Sequence, residues 1–161
     1  MKRLIELSSG LCLLIFVVIV FAACKKSEHD ENNNNTTTKT KKELLMTGTW
    51  KYTGATISPA YDYYGDGAVT NIFGIMKACE KDDFEVYKTN GMWEYNEGPT
   101  KCDPSYLQVI TLPWQFAANE KKLLVGSVEH TILELTDTTL ILRYEFEDAG
   151  IVYTEVDSYE H

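Results

Sequence analysis

From Gly48 to Tyr159 the apolar and polar positions repeat with a period near two rather than 3.6, the spacing of strands. The run TWKYTGATI (49–57) is rich in aromatic and β-branched residues and ends at Pro59. DFEVYK (83–88) sets Phe84 and Val86 against Glu85 and Tyr87, and Asn90-Gly91 then supplies a strong hairpin signal. MWEYNE (92–97) returns with Trp93 and Tyr95 on one face. LQVITLPWQFA (107–117) predicts a longer strand in which Pro113 suggests a bulge or an edge position. Beyond the turn NEKK come LLVG and VEHTILEL (128–135). TLILRYEFE (139–147) then places Leu140, Leu142, Tyr144 and Phe146 on one side, and Asp148-Ala149-Gly150 turns into IVYTEVDSY (151–159). A helix is predicted only at KKELLMTG (41–48). About eight strands, mostly joined by short turns, predict an all-β chain: a small antiparallel up-and-down barrel, whose closure removes exposed edges.

A different pattern fills the first 42 residues. LCLLIFVVIVFAA (11–23) is apolar for 13 residues, against the roughly 20 that a membrane-spanning helix needs. Lys2 and Arg3 precede it, Ala22-Ala23 end it, and Cys24 follows. This is the layout of a cleaved secretory signal. It resembles the lipobox of bacterial lipoproteins, with Phe21 standing where leucine is usual. The resemblance implies a signal peptide over 1–23 and acyl chains on Cys24. Each buried acyl CH₂ contributes about 0.8 kcal/mol, so three chains would hold the protein to a membrane durably. A plain signal with an incidental cysteine, or an uncleaved anchor, is the alternative. Between Cys24 and Lys42 there is no Val, Leu, Ile or aromatic residue, so 24–42 reads as a solvated tether with NNNNTTTKT at its middle. KKSEHDE after the cysteine is similar to the acidic cluster that sends lipoproteins of the Bacteroides and Flavobacterium group to the surface of the outer membrane. The expected localisation is therefore the bacterial outer membrane, facing outward, with the periplasmic face as the alternative.

Residues 43–161 are enough for one compact domain. They hold 8 lysines and arginines against 20 aspartates and glutamates, a net charge of −12. Such a surface repels phosphates, which argues against nucleic acid and anionic lipid headgroups as partners. Of the four cysteines, Cys12 falls in the signal and Cys24 at the lipid site. Cys79 and Cys102 remain, and in an exported chain such a pair reads as a disulfide. Closing a loop of about 24 residues is worth roughly 3 kcal/mol. A zinc site is the rival, but it lacks a nearby histidine.

LLMTGTWKYTGA resembles the opening of lipocalins, whose Gly-x-Trp motif is matched by Gly48 and Trp50. ACEKDDFEVYKTNGMWEYNEGPTKC is similar to lipocalin-like lipoproteins of the Bacteroidetes, and the resemblance covers roughly 43–159. It implies a barrel whose long first loop, Ser58 to Asp82, forms a lid over the mouth. Tyr61, Tyr63, Tyr64, Ile72 and Phe73 would line that lid, with Cys79–Cys102 pinning its far end. Trp50, Trp93 and Trp114 are the barrel's candidate ligand contacts. Alternatively, these aromatics simply fill a small core. The resemblance also suggests that Arg143 stacks on Trp50.

No catalytic constellation is visible. His29, His130 and His161 are scattered, and there is no G-x-S-x-G, phosphate loop or zinc spacing, so no enzyme is expected. In YDYYGDGAVTN (61–71), Asp62, Asp66 and Gly67 match positions 1, 5 and 6 of a calcium loop, whereas Tyr64 and Phe73 occupy two ligand positions. The loop is thus either a weak Ca²⁺ site or a Gly-rich turn, and no other cofactor is expected. Two functions stay open: a lipid-anchored carrier of a small apolar or amphipathic ligand, or a packed barrel that docks an envelope protein.

Overall fold

The computed structural model describes residues 38–161; the expected signal peptide 1–23, Cys24 and most of the tether 24–42 lie outside the described residues. The folded unit takes in the end of that tether. Lys39 pairs with Asp137 at 2.5 Å, and α1 (Lys41–Leu45) begins with a capping box. Thr40 Oγ1 accepts from the Glu43 amide, and the Glu43 carboxylate accepts from the Thr40 amide. The helix is only five residues long, so packing rather than propensity holds it. Its Leu45 is fully buried.

The strands are β1 (Trp50–Tyr61), β2 (Val69–Asn71), β3 (Phe84–Tyr87), β4 (Met92–Asn96) and β5 (Val109–Ala117), then β6 (Lys122–Val125), β7 (Val128–Leu135), β8 (Thr139–Asp148) and β9 (Ile151–Glu160). All are antiparallel to their neighbours, and β1 pairs with β3 on one side and β9 on the other. Eight strands therefore close an up-and-down barrel, and β2 is a short addition to the far end of β1. The closing joint is unequal. β1 meets β3 only through Trp50 opposite Glu85 and Lys51 opposite Phe84, whereas β8 and β9 pair along their whole length.

Two prolines behave differently from expectation. β1 continues through Pro59, because its ladder with β9 stops at Ser58 opposite Thr154 and the missing N–H breaks no bond there. Pro113 is neither at an edge nor in a bulge. It sits where β5 exchanges partners, the last residue opposite β4 and the last before the pairing with β6 begins at Trp114. The long gap between β1 and β3 is also built structure. After β2 it forms α2 (Ile72–Ile75), capped by Asn71 Oδ1 accepting from the Gly74 amide at 2.9 Å, and α3 (Ala78–Lys81).

Alternation and register determine which side chains turn inward. On β3 these are Glu85 and Tyr87; on β9 they are Tyr153, Glu155, Asp157 and Tyr159, facing Phe146, Tyr144, Leu142 and Leu140 of β8. Around α1 the interior is solid: Leu45, Trp50, Tyr87, Trp114, Leu123, Leu140 and Leu142 form one cluster. A smaller cluster, Ala55, Ile57, Ile72 and Tyr153, seats α2 at the other end.

Candidate functional site

Above the solid end the barrel encloses a cavity of about 360 Å³. Seven strands, β3 to β9, contribute to its wall. Trp93, Tyr95, Tyr144 and Tyr159 supply rings, Leu112 and Val128 an apolar rim, and Glu85, Asp157 and His130 polar groups. A second space of about 170 Å³ shares Glu85, Tyr95 and Tyr159 with it and reaches Tyr63, Met76, Glu80 and Asp83 under the β1–β3 connection. A third, of about 160 Å³, adds Tyr64 and Glu155. The third shares Tyr52, Tyr63, Met76, Glu80 and Tyr95 with the second.

The polarity of this lumen comes from carboxylates held by aromatic donors. Tyr52 donates its hydroxyl to Asp157, and Tyr144 donates to Glu155 at 2.8 Å. Glu85 accepts from the Tyr87 hydroxyl and from Trp93 Nε1, both at 2.9 Å. At the mouth Tyr95 donates to Asp83 and Tyr64 to Glu80. Burial, more than any neighbouring charge, pushes four carboxyls up: Asp157 to about 8 and Asp83 to about 6, with Glu85 and Glu155 also raised. The same burial drives the Tyr52, Tyr95 and Tyr144 hydroxyls far above the ordinary phenol value, so they remain donors at any physiological pH. It lowers the His130 imidazolium, which leaves that ring neutral near pH 7. Three buried polar atoms among the described residues find no partner: Asp82 Oδ1, Asp83 Oδ1, on a residue only 4 % exposed, and His130 Nδ1.

The candidates read from sequence are spread over three places. Trp93 lines the lumen, and Tyr63 and Tyr64 stand at its mouth with ring centroids 5.2 Å apart. Trp50 and Trp114 belong to the solid end, where their indole N–H groups donate to the Leu45 and Lys88 carbonyls. Tyr61 packs edge-on against Tyr153 and Phe146, and Ile72 and Phe73 join the cluster under α2. The ring packed against Trp50 is His161, at 3.8 Å between centroids and tilted by 32°, while Arg143 is exposed on the outer wall opposite Thr131 and Val156. β8 presents alternate residues inward, and Arg143 lies between two of them. Asp62 Oδ1 accepts from the Gly65 and Gly67 amides and so builds a tight turn, and Asp66 is exposed. Among the described residues no group of three or more His, Cys, Asp or Glu side chains is arranged to hold a metal ion.

Cys79 and Cys102 form a disulfide, with Cα atoms 5.2 Å apart. It ties α3 to the loop between β4 and β5, the two segments that flank the mouth. Gly98, in the same loop, has φ +62, and a Cβ there would come within 2.3 Å of the Asp82 carbonyl oxygen. Glycine is what lets these walls approach.

Sequence reasoning does not single out Glu85, Glu155, Asp157 or Tyr52, and it reaches Tyr144 only through the alternating face of β8. One signal was available: Tyr153, Glu155, Asp157 and Tyr159 share a parity, so two carboxyls lie in line with two rings. No family model matches the chain, and no curated protein matches it.

Proposed function

We propose that the chain is a lipid-anchored, lipocalin-like envelope protein that binds one small molecule inside its barrel without chemically altering it. The observation that carries this reading is the lumen: an eight-stranded barrel can be filled completely by side chains, and here a 360 Å³ space remains, lined from seven strands. That volume lies at the small end of ligand pockets and equals about twelve waters. Acylation of Cys24 and residence on the outer membrane rest on the sequence pattern of residues 1–42. Replacing Cys24 with alanine should move the protein from the membrane fraction to the soluble one. Persistence of the variant in the membrane pellet would end the anchor reading.

Octanol, a neutral apolar probe, tests the lumen. Its titration into the protein should change tryptophan fluorescence saturably, and Trp93→Phe should remove that signal. Tyr63→Ala combined with Tyr64→Ala should weaken binding about three- to ten-fold through lost apolar contact, with Tm nearly unchanged because neither ring belongs to a buried cluster. No binding up to millimolar octanol, a free energy of only about −4 kcal/mol, would leave the alternative. That alternative, docking to an envelope partner, is favoured by exposed Tyr106 and Leu107 in the loop between β4 and β5.

A further inference from the structure

We propose that the lumen is built for an organic cation: a small protonated amine with an apolar or aromatic body. The inference rests on the carrier reading and adds the ligand's charge to it. Its first support is the pairing of the interior carboxyls. Glu85, Glu155 and Asp157 are held by phenol and indole donors. The three ion pairs among the described residues, Lys39–Asp137, Lys88–Glu94 and Lys122–Glu129, are all on the surface. The barrel therefore gathers acidic groups in its interior and offers them no ammonium or guanidinium partner, an arrangement that is costly unless a cation or a proton arrives.

The second support is independent of the cluster. Asp83 is almost wholly buried, lines the neighbouring 170 Å³ space that shares Glu85, Tyr95 and Tyr159 with the cavity, and has Oδ1 without any hydrogen-bond partner. A buried acceptor without a donor carries a desolvation cost that a donor arriving beside it would relieve. His130, neutral and with Nδ1 also unpartnered, adds no positive charge to the lumen wall.

The third support is the rest of the lining. Trp93, Tyr87, Tyr95, Tyr144 and Tyr159 surround the same space, and aromatic faces attract an ammonium most strongly when it is desolvated. Leu112, Val125 and Val128 give its carbon skeleton an apolar berth. A carboxylate ligand would meet three acidic side chains and no positive partner. Asp157 holds its proton to about pH 8 because of burial, so an ammonium at this site replaces a proton and restores the carboxylate.

The experiment uses the full chain in nanodiscs of zwitterionic lipid, with empty nanodiscs as blank. Calorimetry compares three probes of one shape: phenethylamine, 2-phenylethanol and phenylacetate. The amine should bind at least about ten-fold tighter than the alcohol, because its hydrogen bonds to carboxylates are charge-assisted, and phenylacetate should not register. Glu85→Gln and Asp157→Asn should each shrink the amine's advantage while leaving the alcohol's affinity within about three-fold. If one variant fails to fold, the other and the wild-type ratio still decide. Equal binding of amine and alcohol, or an advantage untouched by either substitution, overturns the cation and leaves the carrier standing. No binding of any probe, together with none of octanol, overturns both.

Discussion

The two ends of the barrel use the same strands for opposite purposes. At the α1 end, inward positions are Leu45, Trp50, Trp114, Leu123 and Leu140, all buried and in mutual contact. Toward the other end, the inward positions of the same β8 and β9 become Tyr144, Glu155 and Asp157. Leu112 and Val128 at the rim are 39 % and 46 % exposed. The comparison separates two tasks within a single sheet. One end supplies the free energy that closes the barrel, and the other gives some of it up to keep space and charge available.

Truncation should reveal that division most strongly. Leu123→Ala, at the solid end, should cost about 2–5 kcal/mol, whereas Val128→Ala at the rim should cost less than about 0.5 kcal/mol. Urea denaturation of both variants measures the contrast, and equal losses would erase the distinction between the ends.

The smaller effect has the opposite sign. Asp157 has a folded-state pKa of about 8, far above that of an unfolded aspartate. Its contribution to stability is therefore fully present below about pH 4 and is lost as the pH rises through 8. It faces Tyr52 from β1, Glu85 from β3, Tyr144 from β8, and Glu155 and Tyr159 on its own strand, none of them a cation. Asp157→Asn should accordingly stabilise the protein at pH 9, by an amount on the order of a few kcal/mol, and leave it nearly unchanged at pH 4. Melting curves at the two pH values check this. A variant less stable than wild type at pH 9 would mean that the carboxylate supports the fold.

The sequence made the strands, turns and disulfide far easier to read than the lumen. The Asn90-Gly91 hairpin, the turn at Asp148-Ala149-Gly150 and the alternation of β8 all appear where local pattern put them, because turn chemistry and period two act over a few residues. Pairing of the two cysteines left in the domain was equally accessible. The lumen was not, since polarity normally marks the outer face, and Glu85, Glu155 and Asp157 defeat that expectation. Only the register of β3 against β1 and of β9 against β8 turns them inward. Pro59 and Pro113 misled for a related reason: whether a missing N–H matters depends on where a neighbouring ladder stops. The structure of residues 62–82 likewise depends on Ile72 finding a buried seat, a fact about the assembled barrel.

The short joint between β1 and β3 has a mechanical consequence. A hoop yields where its overlap is least, and here the overlap is two residue pairs against ten between β8 and β9. Sub-global opening starts in the least-secured segments, so amide exchange should show this lap opening before the β8–β9 stave. Trp50 and Glu85 face each other across that lap, which makes the hinge of the hoop also the place where the greasy floor meets the first interior carboxyl.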